Sequence, residues 1–152
     1  MKDYETIRNQ PRLKTTQMSA YNKFGCTSVR EFFYKSKEKM GSSSSTITRQ
    51  LYWRDFYYFI VYFYPHVMSG PMRKSYQGVK WDSANSEKFT AWKEGKTGFP
   101  IIDASMRHLN KTGYMPNRCR MIVSNFLVKD LHINWQEGEK YFASKLVDYD
   151  PA

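Results

Sequence analysis

The chain has 152 residues, about one domain's worth, and carries 24 Lys and Arg against 14 Asp and Glu, a formal charge of +10. With 4 Trp, 12 Tyr and 10 Phe it is too aromatic for a disordered polar tail, and two Cys cannot staple a small secreted module. No apolar run approaches the roughly 20 residues that cross a bilayer. The longest, residues 56–64, is rich in Tyr hydroxyls and stopped by Pro65, and the N-terminus lacks the apolar core of a signal peptide. An intracellular, soluble protein with no membrane partner is the expectation. The basic balance points toward nucleic acid, because Lys and Arg replace counterions along phosphates. Most of the rings are expected to fill a core, while any left exposed could stack on unpaired bases.

In chain order, residues 1–25 read as irregular, interrupted by Pro11 and Gly25. Ser28 followed by Glu31 has the pattern of a capping box and opens a helix that runs through Phe32, Phe33 and Tyr34 and fades over residues 35–39. Residues 41–45 form a short Gly/Ser loop. Residues 46–64 predict a long helix with apolar residues on nearly every side, which implies burial inside a larger body. Between Pro65 and Gly98 the glycines at 70, 78, 95 and 98 leave loops around one short helix near residues 86–93. Pro100 opens and Gly113 closes the next helix, with Ile101, Ile102, Met106 and Leu109 on its core side. Pro116 opens another, with Met121, Ile122, Phe126 and Leu127 facing inward. Asn134 and Glu137 mark the start of a last helix running through Leu146. No stretch alternates as a strand would, so the fold is expected to be all-α, a single domain over residues 1–152.

Few groups offer simple chemistry. His66, His108 and His132 are scattered without metal-ligand spacing, so no metal is expected. Cys26 and Cys119 read as small buried hydrophobes. No Gly-rich phosphate loop is present. What remains is Arg118 and Arg120 in the first turns after Pro116, where a helix N-terminus is already electropositive. With Asn117 they could form an anion site, or they could make ordinary surface salt bridges. Asp148 and Asp150 flank Tyr149 and could pair with these arginines or accept from a ligand's imide N–H. Thr15, Thr16 and Ser19 supply hydroxyls that could hold phosphate oxygens, although an ordinary Ser/Thr turn looks the same.

The stretch WKEGKTGFPIIDASMRHLNKTGYMPNRCRMIVSNFLVKDLHINWQEGEKYFASKLVDYDPA from Trp92 closely resembles the flavin-binding helical domain of the photolyase/cryptochrome family. RQLYWRDFYYFI from Arg49 and TTQMSAYNKFGCTSVREF from Thr15 resemble two earlier segments of that domain, in the same order. The resemblance implies a partial FAD-binding helical domain of a deoxyribodipyrimidine photolyase of the class I type. It implies non-covalent FAD, with light-driven electron donation from reduced flavin to pyrimidine dimers in DNA. Position by position, it implies that Tyr4, Thr15, Thr16, Gln17, Met18 and Ser19 cradle the FAD phosphates, Gln17 standing where the family has Arg. Arg120 and Asp148 would form an ion pair beside the flavin, with Tyr149 next to them and Asp150 near the isoalloxazine edge. Arg8, Gln50, Trp53, Arg54, Asn117 and Arg118 would face DNA, Trp53 as the stacking ring and Met121 beneath the lesion. Trp81 and Trp135 match the outer two members of an electron-relay Trp triad.

The sequence also departs from the family pattern. Pro116 stands where the family has His before Asn-Arg, and Met121 leans toward cyclobutane dimers. The family's antenna domain, its Asn facing flavin N5 and its inner relay Trp have no counterpart in these 152 residues. The expectation is therefore a fragment, inactive and weak in FAD binding by itself. It would expose apolar surface and need a second polypeptide for the missing end. A cryptochrome-like sensor, a cofactor-free DNA-binding module and a degenerate product without function are the competing readings.

Overall fold

Proline, glycine and small polar residues set most of the element boundaries in the structure, a computed structural model that describes residues 4–152 without the side chain of Ser43. Eight α-helices are found among the described residues: α1 (Tyr4–Ile7), α2 (Ser19–Lys23), α3 (Val29–Met40), α4 (Ser45–Phe63), α5 (Glu87–Glu94), α6 (Pro100–Thr112), α7 (Asn117–Asn125) and α8 (Trp135–Lys145). Short 3-10 turns occupy Gly41–Ser44, Pro65–Met68 and Lys74–Tyr76, and a π-turn over Phe126–Asp130 continues α7. The one β-type pairing among the described residues is an isolated bridge between Asp82 and Ile133, so the fold is all-α.

The described residues fall into two compact units. The first comprises 4–10, Lys14–Val79 and Asp150–Ala152. Its α4 packs with α1 and α3, and its small interior consists of Ile47 and Leu51 with the buried polar groups Ser36, Ser44, Thr46 and Thr48. Thr48 resolves its own burial by donating its hydroxyl to the Ser44 and Ser45 carbonyls. Beyond Leu51 the helix is not the enclosed rod that its composition suggests: Trp53, Phe56, Tyr57, Phe59, Tyr62 and Phe63 are all exposed. An all-round apolar helix needs neighbours on every side, and within the first unit this half has only partial cover, with Arg54, Ile60 and Val61 half-buried and Tyr58 bonded to Asp150.

The second unit comprises 11–13 and Lys80–Tyr149 and holds the main core, with Phe89, Trp92, Ile102, Met106, Leu109, Met115, Cys119, Val123, Leu127 and Ile133. Trp92 is fully buried, stacks on Phe89, meets Tyr141 and Phe142 edge-on, and donates its indole N–H to the Val123 carbonyl at 3.0 Å. Ser86 caps α5 by accepting from the Phe89 amide, and Gly95 ends it in the left-handed region. A side chain at Gly95 would meet the Asp103 carbonyl at 2.7 Å, so glycine is demanded there by space as well as by φ. Pro100 at the first turn and Gly113 at the end bound α6 as the sequence predicts.

Several local expectations are corrected. Residues 1–25 contain α1 and α2, each too short to show a periodicity. Helix α3 does not fade but continues to Met40, and residues 41–44 coil into a 3-10 turn. Ser28 caps α3 by position without a side-chain bond, and Glu31 does not reach back to it but pairs with Lys35 at 2.6 Å. At α8, Asn134 does cap, accepting from the Gln136 amide, while Glu137 turns to Lys140. Ile101 and Met121 point outward, whereas Asp103 and Ser105 are buried. Cys26 is exposed, and only Cys119 is the buried hydrophobe expected of both.

Candidate flavin and DNA site

In the second unit, α7 starts at Asn117 immediately after Pro116, whose fixed φ places it at the helix cap. One turn later Arg120 extends its guanidinium to Asp148, with Nη2 donating to both carboxylate oxygens at 2.8 and 2.7 Å, and Nε donating to the Met115 carbonyl at 2.7 Å. The Asp148 side chain is 2% exposed and that of Arg120 27%. A carboxylate so deeply placed requires such a cation. Arg120 is therefore committed to Asp148 and Met115 and is not an open anion receptor. Asn117 directs its amide to the Met121 sulfur at 3.7 Å, and Met121 is 48% exposed. Arg118 is half-buried on the same turn.

Tyr149 donates its hydroxyl to Glu139 on α8, a partnership with no sequence signal. Trp81 and Trp135 are both half-buried. The backbone bridge ties their segments together, since the Asp82 amide donates to the His132 carbonyl at 2.9 Å and Trp135 begins α8 three residues later. His132 adopts φ +53, a left-handed conformation uncommon for non-glycine residues. Elsewhere in the second unit, Asp103 receives the Thr97 hydroxyl and amide and the Gly98 amide. Burial pushes its pKa up, but those bonds and the Arg107 charge outweigh it and leave the pKa below the usual carboxylate value. This cluster locks the entry to α6.

In the first unit, Tyr4 opens α1 and is half-buried, and the Arg8 amide donates to its carbonyl. Thr15, Thr16 and Met18 are half-buried, while Gln17 and Ser19 are exposed. Gln17 takes φ +51, so the resembled phosphate run turns sharply where the family's Arg is replaced. Two polar atoms here, Arg8 Nη1 and Asn22 Oδ1, are buried without a hydrogen-bond partner. Orphaned groups of this kind are costly and call for a polar ligand. On α4, Gln50 donates back to the Thr46 carbonyl at 3.1 Å. Trp53 is 51% exposed and rests edge-on against Phe56. One residue on, Arg54 pairs with Asp55 at 3.3 Å and lies over the Tyr58 ring at 4.5 Å.

Asp150 folds with the first unit. Its carboxylate accepts from the Tyr58 hydroxyl at 2.5 Å, pairs with Lys23 at 3.4 Å and accepts from the Ala152 amide at 3.3 Å. Of the two acidic residues flanking Tyr149, only Asp148 meets an arginine from α7. Lys23, Tyr58 and Glu139 are participants that sequence reasoning missed, because their partners lie far away in the chain or, for Glu139, in an ordinary exposed-looking helix position.

Among the described residues, no cluster of His, Cys, Asp and Glu could hold a metal, and no helix is long and apolar enough to cross a membrane. Residues 47–152 match the model of the FAD binding domain of DNA photolyase. The deoxyribodipyrimidine photo-lyase of Alkalihalophilus pseudofirmus is 40% identical over 98% of this chain, and that of Escherichia coli is 41% identical over 99%. Of those proteins this chain spans 32% and 33%, about a third of their length. Among solved structures, the Sulfolobus tokodaii archaeal photolyase with two FAD molecules superposes with a TM-score of 0.89 at 47% identity, over 97% of this chain and 33% of that one. The Agrobacterium tumefaciens class III photolyase gives 0.94 at 36% identity, over 99% and 32%. The Synechocystis cryptochrome gives 0.89 at 33% identity, over 98% and 32%. The chain belongs to the family of the DNA photolyase FAD-binding domain.

Proposed function

We propose that this chain is the portion of a deoxyribodipyrimidine photolyase that helps bind FAD and presents damaged DNA to it. The observation that carries the reading is the Arg120–Asp148 pair, formed between the two residues that the family resemblance singles out beside the flavin. When bound, reduced FAD supplies the light-driven electron that splits a pyrimidine dimer. The protein's own residues hold and orient. The Thr15–Ser19 run suits the phosphates of such a cofactor; the unpartnered Asn22 Oδ1 suits a ligand hydroxyl, and the buried Arg8 Nη1, of a residue expected on the DNA side, suits an acceptor of the cofactor instead. The Arg120–Asp148 pair compensates the buried carboxylate and holds the guanidinium in one orientation. Asp150 offers an ionised acceptor at a stated place.

On the DNA side, the half-exposed Trp53 ring with Arg54 beside it suits a base taken out of the stack. Gln50 adds a polar edge in the first unit; in the second, taken by itself, Asn117 offers a polar edge, Met121 an apolar surface and Arg118 a charge for phosphate. Trp81 and Trp135 are assigned to electron relay, supported by the bridge that holds their segments adjacent. The exposed rings of α4 support a further element: the chain works with the family segments it does not span, on the same or a separate polypeptide.

The test is a blue-light repair assay on an oligonucleotide carrying one thymine dimer. The chain is assayed alone and mixed with a polypeptide carrying the rest of a relative's length. Repair in the mixture but not alone is expected, and Trp53→Ala in the mixture should weaken dimer binding about tenfold, roughly one stacking contact. Absence of repair in the mixture overturns the repair reading, and repair by the chain alone overturns the need for further segments. The likeness to the Synechocystis cryptochrome favours a second reading, light sensing, which predicts flavin photoreduction without any effect of Trp53→Ala.

A further inference from the structure

We propose that Tyr58 is a positioning residue for Asp150, holding its carboxylate as a fixed, accept-only contact for the flavin. The inference rests on the FAD-binding reading and adds a residue to it. Tyr58 sits on α4, 92 residues before Asp150, and donates its hydroxyl to Oδ2 at 2.5 Å. Lys23, the last residue of α2, approaches the same oxygen at 3.4 Å, and the Ala152 amide reaches Oδ1 at 3.3 Å. Three donors from three segments thus converge on one carboxylate.

A Lys–Asp pair with both partners more than a quarter exposed contributes little and is screened by salt. The phenol supplies what a flexible ammonium cannot, namely direction. Its ring is itself restrained by the Arg54 guanidinium at 4.5 Å. A carboxylate offers about four lone-pair positions, so the three contacts leave room for one external donor.

The protonation states reinforce the arrangement. Burial pushes the Asp150 pKa up, but the bonds from Tyr58 and the Ala152 amide and the Lys23 charge outweigh it, leaving it below the usual carboxylate value. The Tyr58 pKa is raised, first by that same hydrogen bond. At neutral pH the phenol can therefore only donate to this partner, and the carboxylate can only accept. The site refuses anions and welcomes a ligand N–H or O–H.

The experiment titrates FAD into the chain mixed with a polypeptide carrying the rest of a relative's length, and into the same mixture made with Tyr58→Phe, Asp150→Asn and the double variant, reading fluorescence quenching and the visible flavin band. Tyr58→Phe removes one hydroxyl from a partly exposed ring, so the fold survives, and far-UV circular dichroism verifies this. Each single variant is expected to weaken binding five- to tenfold and to shift the bound flavin band. The double variant should lose no more than the worse single one. Wild-type affinity and spectrum in Tyr58→Phe, or losses that add in the double variant, overturn the inference while leaving FAD binding intact. No uptake by the wild-type mixture overturns the FAD reading and this inference with it. A spectrophotometric phenol titration tests the link independently of flavin. The phenols of Tyr58 and Tyr141 should ionise later than the others, one of the two should shift downward in Asp150→Asn, and a titration unchanged by that substitution refutes the bond.

Discussion

Removing the Arg120 guanidinium perturbs the second unit where a charge is most deeply placed. In Arg120→Ala the Asp148 carboxylate, 2% exposed, loses both bonds from Nη2, and the fully buried Met115 loses the donor to its carbonyl. Leaving one partner of a buried pair uncompensated costs about 3–5 kcal/mol. Arg120 is 27% exposed, so water enters readily where it stood, and the lower end applies. About 3 kcal/mol corresponds to a drop in Tm of about 6–12 °C for a chain of this size. Asp148→Asn should cost less, about 1–2 kcal/mol, because the arginine left behind can hydrate and the amide still accepts one bond. Arg120→Ala with Asp148→Ala should recover at least 1 kcal/mol relative to the sum of the singles. Urea unfolding followed by indole fluorescence measures all of these. A cost below about 1 kcal/mol for Arg120→Ala, or strict additivity in the double variant, would refute the reasoning.

Gly138 on α8 is tightly enclosed: a Cβ there would sit 2.4 Å from Leu127 Cδ2, inside the core. Gly138→Ala should destabilise by about 1–2 kcal/mol despite Ala's better helix propensity, and a urea midpoint at or above wild type would contradict this. Trp92→Phe deletes the N–H that satisfies the Val123 carbonyl and leaves a void, so a loss of about 2–4 kcal/mol is expected by the same measurement. The Tyr58–Asp150 link gives the first unit a two-sided pH dependence. Asp150 is depressed in the folded state, so its contribution is complete above the unfolded carboxylate value of about 4 and disappears as pH falls through the lower folded value. Tyr58 is raised, so its contribution is complete below about 10 and disappears as pH rises through the higher folded value. Backbone amide exchange at Ala152, compared between wild type and Tyr58→Phe, should show the difference vanish at both extremes.

The sequence was most legible where chemistry is local. Pro100 and Gly113 announce α6 because each fixes one φ, and Asn134 caps α8 with its own side chain. The resemblance carried the Arg120–Asp148 pair, which no spacing rule would have joined across 28 residues. Apolar periodicity misassigned Ile101 because Asp103 and Ser105 of the same helix turn inward to bond the backbone, and hydrophobicity does not register such polar burial. The glutamate halves of the two capping boxes did not form, since each glutamate pairs with a lysine one turn along, although Asn134 still caps α8. Lys23 and Tyr58 stayed invisible because their meeting with Asp150 is a product of tertiary folding alone.

The π-turn at Phe126–Asp130 inserts one residue's worth of backbone at the end of α7, closed by the Leu131 amide on the Phe126 carbonyl at 3.1 Å. Each residue of an α-helix advances the azimuth by about 100°. Excising one residue from this stretch would restore an ordinary helical spiral and barely alter the far-ultraviolet spectrum. It would also swing everything downstream through that angle, turning Leu127 and Ile133 off their seats and the Trp135 indole away from its present bearing. The extra residue is thus a calibrated offset, which fixes the length of this stretch more tightly than the identity of its side chains.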